Sequence, residues 1–131
     1  MKKNANNKTQ KKIDNQLRIA LTKVCEHSLK DDTGFKWLTH QVNFSNFPAS
    51  LLVTCVFETE DALAQAQNMK WTSTLQKRIQ SELLKTGVRL KQLEKQVVFD
   101  TEEACKNEHN HDWALRLVKQ QGRAVPHSKQ P

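Results

Sequence analysis

Four residues near the C-terminus have the types and spacing of a ligand set. Cys105, His109 and His111, with Asp112 beside them, form a C-x3-H-x-H pattern that would bring a thiolate and two imidazoles to one zinc ion. A structural zinc centre needs a second, regularly spaced pair, and the chain offers only Cys25 and His27, far upstream. Cys25 flanks an apolar stripe, as a buried structural thiol does. The segment therefore reads as a polar loop, and neither a metal nor a cofactor is assigned. Catalytic chemistry has less support. There is no Gly-rich phosphate loop, no nucleophile elbow and no H-E-x-x-H, and the chain contains only three glycines, too few for such loops. The paired acids Asp31-Asp32 and Glu102-Glu103 fall where caps or turns are expected, and there they complement a helix N-terminus or remain solvated. The expectation is that the protein is not an enzyme.

Cations carry more information. Lys70, Lys77, Arg78, Lys85, Arg89, Lys91 and Lys95 face only Glu82 and Glu94 in the same span. At 100° per residue, Lys77, Arg78 and Lys85 fall opposite Leu75, Ile79 and Leu83, so the stripe is either a solvated helix face or a track for phosphates. The formal net charge of +7 is concentrated at the ends. Lys2, Lys3, Lys8, Lys11 and Lys12 precede the first acid, and Arg116, Lys119, Arg123 and Lys129 follow the last. Between Ile13 and Trp113, twelve cations meet fourteen acids, a net of −2, so the body is near neutral. Residues 96–113 carry Lys106 against Asp100, Glu102, Glu103, Glu108 and Asp112, a net of −4 that opposes uniform wrapping by a polyanion. Among the aromatic residues, Trp37 is the expected base-stacking candidate because it lies on the strand face opposite Leu38 and Val42; Phe47 is another.

These side chains must be positioned by a small set of elements. Ile13, Leu17, Ala20, Leu21, Val24 and Ser28 recur every three or four residues, which predicts a helix over about 12–30. Asp31 to Gly34 end it. Alternation at Leu38, Val42 and Phe44, and again at Leu51, Val53, Cys55 and Phe57, predicts two strands. Joined at Ser45 to Ser50, they make an antiparallel hairpin with one buried face, and Pro48 sits in the connection. Thr59 or Asp61 caps a short helix through Gln67. A break near Met69 to Thr72 precedes a second helix, with Ser73 and Gln76 as a capping box and Gly87 as its C-terminal residue. A third strand runs over Lys95 to Asp100. Asp100 or Thr101 then caps a turn of helix through Cys105, and Asp112 caps a last helix that Gly122 stops. The expected fold is a two-layer α+β sandwich, helix-strand-strand-helix-helix-strand, with a C-terminal helical appendix. Residues 1–12 form a disordered basic tail, 13–121 a single domain and 122–131 a flexible tail.

No apolar run is long enough to span a bilayer, and no apolar segment follows the N-terminal lysines as in a secretory signal. Three cysteines, Cys25, Cys55 and Cys105, read as free thiols of a reducing compartment. The expectation is a cytoplasmic protein with no membrane partner.

From Ile13 to Asp100 this element order resembles the KH-like fold and the ribosome-binding factor A family of small bacterial RNA-binding proteins. Val97-Val98-Phe99-Asp100, followed by Thr101-Glu102-Glu103, is similar to the apolar strand ending in Asp found there. The resemblance implies RNA binding near the ribosome. Ile13-Asp14-Asn15-Gln16-Leu17-Arg18 and Trp37-Leu38-Thr39-His40, with Asn43-Phe44, resemble a small proteobacterial family labelled as Fis-type regulators. That likeness implies a DNA-binding helix-turn-helix at the C-terminus, for which only Thr101 to Gln121 has room. The leading expectation is a nucleic-acid-binding accessory protein, of RNA or DNA, that works mostly through phosphate contacts. The alternative is a protein-interaction module, or a homodimer, that docks through a strand edge or through Leu84 on the polar side of its helix.

Overall fold

A computed structural model describes residues 7–124. The first helix, α1 (Asn7–Leu29), begins earlier than its apolar stripe. Lys and Gln are good helix formers, and no Gly or Pro interrupts the run, so the backbone extends beyond the last residue it can bury. Lys8, Lys11 and Lys12 therefore lie exposed on helix, a correction to the expected tail; Lys2 and Lys3 lie outside the described residues. The stripe itself is as read, with Leu17, Ala20, Leu21, Val24 and Ser28 all buried.

Gly34, at φ +90°, turns the chain into β1 (Phe35–Gln41). A Cβ there would stand 2.6 Å from the Cβ of Ala62, so both the backbone and the close approach require glycine. The strand ends before Val42 and Phe44, which had been placed in it. A 3-10 turn at Phe44–Asn46 follows, and Asn43 caps it by accepting from the Ser45 amide at 3.0 Å. β2 (Leu52–Phe57) pairs antiparallel with β1.

Thr59 caps α2 (Glu60–Asn68) by accepting from the Ala62 amide. Lys70, in the left-handed region, makes the break, and α3 (Trp71–Leu84) begins at once. Ser73 and Gln76 are consequently inside the helix rather than a capping box. Gln76 instead donates to the Val97 carbonyl at 3.0 Å. Gly87, at φ +85°, closes α3 as expected. A short α4 (Leu93–Gln96) precedes β3 (Val97–Thr101), so Lys95 is helical rather than extended. β3 runs parallel to β2, giving a mixed sheet in the order β1-β2-β3. Parallel neighbours need a long crossover connection, which α2, α3 and α4 supply here.

Thr101 caps α5 (Glu102–His109), which runs beyond Cys105, and Asp112 accepts from the Leu115 amide at the start of α6 (Trp113–Ala124). α6 continues through Gly122, which therefore does not stop it.

α1, α2 and α3 lie on one face of the sheet, and the core gathers there around Leu17, Phe35, Val53, Cys55, Phe57, Leu75, Ile79 and Leu83. The fold is the expected small two-layer α+β arrangement, with one addition. Every residue of β2 is buried, including Leu52, Thr54 and Val56, which point away from that core. The hairpin is thus covered on both faces. α6 supplies the second cover: Gln41 donates to the Leu117 carbonyl and Trp113 stacks edge-on against Trp37.

The anchor of α6 is ionic. Arg116, 5% exposed, grips Asp100 with Nε at 2.6 Å from Oδ2 and Nη2 at 2.9 Å from Oδ1. Its Nη1 donates to Glu108 at 2.7 Å, and Gln120 also bonds Asp100. Removing one partner of a buried pair strands the other charge away from water. Arg116→Met is predicted to lower unfolding free energy by about 3 kcal/mol. Adding Asp100→Asn should recover much of that loss. Urea denaturation of both variants checks this; equal stability of wild type and Arg116→Met would contradict it.

Candidate nucleic-acid interface

The cations expected to form one stripe on α3 are divided by its packing. Arg78 turns toward α1, donating from Nη1 to Asp31 Oδ2 at 2.9 Å and to the buried Ser28 Oγ at 3.1 Å. Its guanidinium also lies 6.0 Å from the centre of the Trp71 ring, whose Nε1 donates to the same Asp31 oxygen. Lys85 Nζ donates to Glu82 at 2.8 Å. Arg78 is thereby occupied within the fold, a correction to the expected track, whereas the Lys85 side chain stays 67% exposed.

Lys77 faces the other way. With Lys91 and Lys95 it lines a cleft of about 480 Å³ between α3 and the segment leading into α4, whose walls include Ser73, Gln76 and Glu94. All three lysines are exposed. Their placement follows from how the segment is pinned. Val88 and Leu90 are buried at one end. At the other, Gln96 is buried, and its amide donates to the carbonyls of Pro48 at 2.9 Å and Leu51 at 3.1 Å while its oxygen accepts from the Gln92 amide. Between two fixed ends the long polar side chains extend to solvent. Three cations against one acid leave the cleft positive, and low-dielectric walls strengthen the potential in such a concavity. Lys70 and Arg89 are exposed but do not line it.

A second basic concavity lies at the start of α1. Lys11, Lys12 and Arg18 line a groove of about 680 Å³ with Asn15, Asp14 and Phe44. Arg18 and Phe44 had not been singled out as site residues. The periodicity held the signal for Arg18, which lies seven residues after Lys11 and so on the same helix face.

Trp37 is half-buried, with one side of its ring taken by α6. Trp113 packs against it with ring centres 4.9 Å apart, and the Trp37 Nε1 donates to Glu102 Oε2 at 2.7 Å. The sequence placed Trp37 on the correct strand face; what it did not show was that α6 covers that face. Phe47 is half-buried beside Phe44, with ring centres 6.0 Å apart.

The C-terminal ligand pattern is not drawn together. Cys105 is buried, and burial raises its thiol pKa above the ordinary value. His109 Nδ1 lies 3.0 Å from Arg116 Nη1, and His111 is exposed. Among the described residues no group of three or more His, Cys, Asp or Glu is placed to hold a metal ion. Cys25, Cys55 and Cys105 are free thiols. The acidic stretch is largely consumed in local structure. Asp100 and Glu108 hold Arg116, Glu102 accepts from both Trp37 and Trp113, and Glu103 accepts from the Glu60 amide. α5 and α6, joined across Asn110 to Asp112, occupy the only segment with room for the helix-turn-helix that the Fis-type likeness implies, and Arg116 points inward.

Among the described residues no helix is long and apolar enough to cross a membrane. No protein-family model, curated protein or solved structure matches the chain.

The Trp71 indole and the Arg78 guanidinium at Asp31 hold its carboxyl below the usual range. A carboxyl with a depressed folded-state pKa contributes stability above its unfolded value and loses it as pH falls through the folded value. Stability carried by Asp31 is therefore complete at neutral pH and disappears below about pH 4. Asp31→Asn is predicted to melt lower at neutral pH and to show a shallower decline in midpoint on acidification. Melting curves from neutral to strongly acid pH check this, and parallel profiles would contradict it.

Proposed function

We propose that this chain is a non-enzymatic nucleic-acid-binding accessory protein that holds RNA or DNA chiefly through phosphates. The observation that carries the reading is the cleft of Lys77, Lys91 and Lys95, three exposed lysines with a single acid, Glu94, among them. Lysine is a compact point charge suited to phosphate oxygens, and clustered lysines release counterions when they bind. The division of α3 supports the same reading. Arg78 and Lys85 are tied to Asp31 and Glu82, whereas none of the three cleft lysines forms an ion pair among the described residues.

The α5–α6 pair is the less suitable surface. A DNA-reading helix presents cations and hydrogen-bonding groups to the groove. Here Arg116 is buried against Asp100, and Glu103 and Glu108 stand exposed on the partner helix. Phosphate contact is accordingly assigned to the α3–α4 side. The resemblance of the element order to KH-like proteins, read from the sequence, is compatible with this role.

Fluorescence anisotropy with labelled RNA and DNA over a salt series tests the proposal. Three phosphate contacts correspond to a slope of about −2 in log K against log salt for a single strand. The triple variant Lys77→Ala, Lys91→Ala, Lys95→Ala is predicted to reduce the slope by about that amount and to weaken low-salt binding at least tenfold. Absence of binding by the native chain, or an unchanged slope in the variant, would sink the proposal.

Two observations favour a second reading, a protein-interaction surface: Leu84 is 48% exposed on α3, and β1 and β3 each pair along only one edge among the described residues. On that reading the chain self-associates and Leu84→Lys disperses it. Light scattering that finds a monomer with or without the substitution would count against it.

A further inference from the structure

The groove at the start of α1 differs from the α3–α4 cleft in having an aromatic wall, and this bears on what kind of nucleic acid the chain takes. Lys11, Asp14, Asn15 and Arg18 stand at i, i+3, i+4 and i+7, so they share one helix face. That face spans about 10 Å at 1.5 Å per residue, room for a nucleotide with its flanking phosphates. Across from it is Phe44, the first residue of the 3-10 turn.

The wall is rigidly mounted. Asn43 caps the turn, the Asn43 amide donates to Ser50 Oγ at 2.9 Å, and that hydroxyl donates back to the Asn43 carbonyl at 2.7 Å. The same β1–β2 connection is held from its other side by Gln96, whose segment carries Lys91 and Lys95. One support therefore positions both concavities. Electrostatics also favour an anion. Asp14, the one acid on the groove, has Oδ1 at 2.9 Å from His40 Nε2 and Oδ2 at 3.7 Å from Arg18 Nε, and it faces the three cations Lys11, Lys12 and Arg18. Lys11 and Lys12 form no ion pair among the described residues, and Arg18 is two-thirds exposed (67%).

We infer that this groove is a second subsite, in which Phe44 stacks on an unpaired base while Lys11, Lys12 and Arg18 hold the adjoining phosphates, so that the ligand is single-stranded. A duplex hides the faces of its bases in its own stack, whereas a single strand can offer one to an aromatic ring. The Asn15 side chain, with a donor and an acceptor, stands in the groove where a base edge would lie. The inference rests on the proposed nucleic-acid reading and narrows it.

The test is anisotropy with the full chain and labelled oligonucleotides of roughly a dozen residues, as single-stranded RNA, single-stranded DNA and the matching duplexes, at one low salt concentration. At least one single strand is expected to bind about tenfold or more tighter than its duplex. Phe44→Leu keeps an apolar side chain but removes the π-face, and it should weaken single-strand binding about fivefold to tenfold with little effect on duplex. Phe44→Trp should retain or tighten it. Lys11→Glu with Lys12→Glu, at exposed helical positions that carry no packing, should weaken it as well, which guards against misfolding of the Phe44 variants. Equal binding of single strand and duplex overturns the subsite. So does an inert Phe44→Leu alongside a weakened cleft-lysine variant, and in both cases the phosphate reading survives. Failure of every oligonucleotide to bind overturns the underlying reading instead.

Discussion

β2 has no exposed residue, and the rest of the molecule is arranged to satisfy that constraint. A six-residue strand buried on both faces needs a partner on each edge and a layer on each side. β1 and β3 supply the edges, and α1 with α3 supplies the main apolar layer. The remaining side falls to α6, whose inner surface is only partly apolar. It is held by Arg116 on Asp100 and by the Trp37–Trp113 contact rather than by a broad hydrophobic stripe. Burying an arginine is tolerated because both ends of the guanidinium are hydrogen-bonded and Asp100 is held beside it, which pushes the Arg116 pKa further up.

Charge not used in this way stays at the surface. The net charge of +7 suggests a uniformly basic binder, but two cations are spent on the fold, Arg116 on Asp100 and Arg78 on Asp31. Those left exposed in concavities cluster in two places, Lys77, Lys91 and Lys95 beside α4, and Lys11, Lys12 and Arg18 on α1. Both concavities border elements fixed by Gln96 or by the turn at Asn43. A positioned lysine loses less freedom on binding than one on a free loop, which makes these sites better suited to a phosphate than their charge count alone implies.

Local chemistry made much of the fold legible. The stripe from Leu17 to Ser28, the caps at Thr59, Thr101 and Asp112, the break before Trp71 and the turn at Gly87 are each set by residues close in the chain, and each is where the pattern puts it. What escaped depended on distant contacts. Trp37 reads as solvent-facing until α6 returns to cover it, and Arg116 reads as part of a basic tail until it meets Asp100. The helical state of Lys8 to Lys12 leaves no burial pattern in the sequence, because Lys and Gln propagate a helix without packing. Of the candidate site, three lysines of the stripe proved to share a cleft. The alternation that placed Phe44 in a strand concealed its position on a turn facing α1.

The central claim is that nucleic acid contacts the α3–α4 cleft and the α1 groove rather than the α5–α6 pair. Amide chemical shifts recorded during titration with a short single strand test it most directly, because they report binding and its location together. The account predicts shifts grouped at residues 73–77, 91–95 and 10–18 and around Phe44, with α5 and α6 undisturbed. Shifts concentrated on α5 and α6, or none at all, would contradict it.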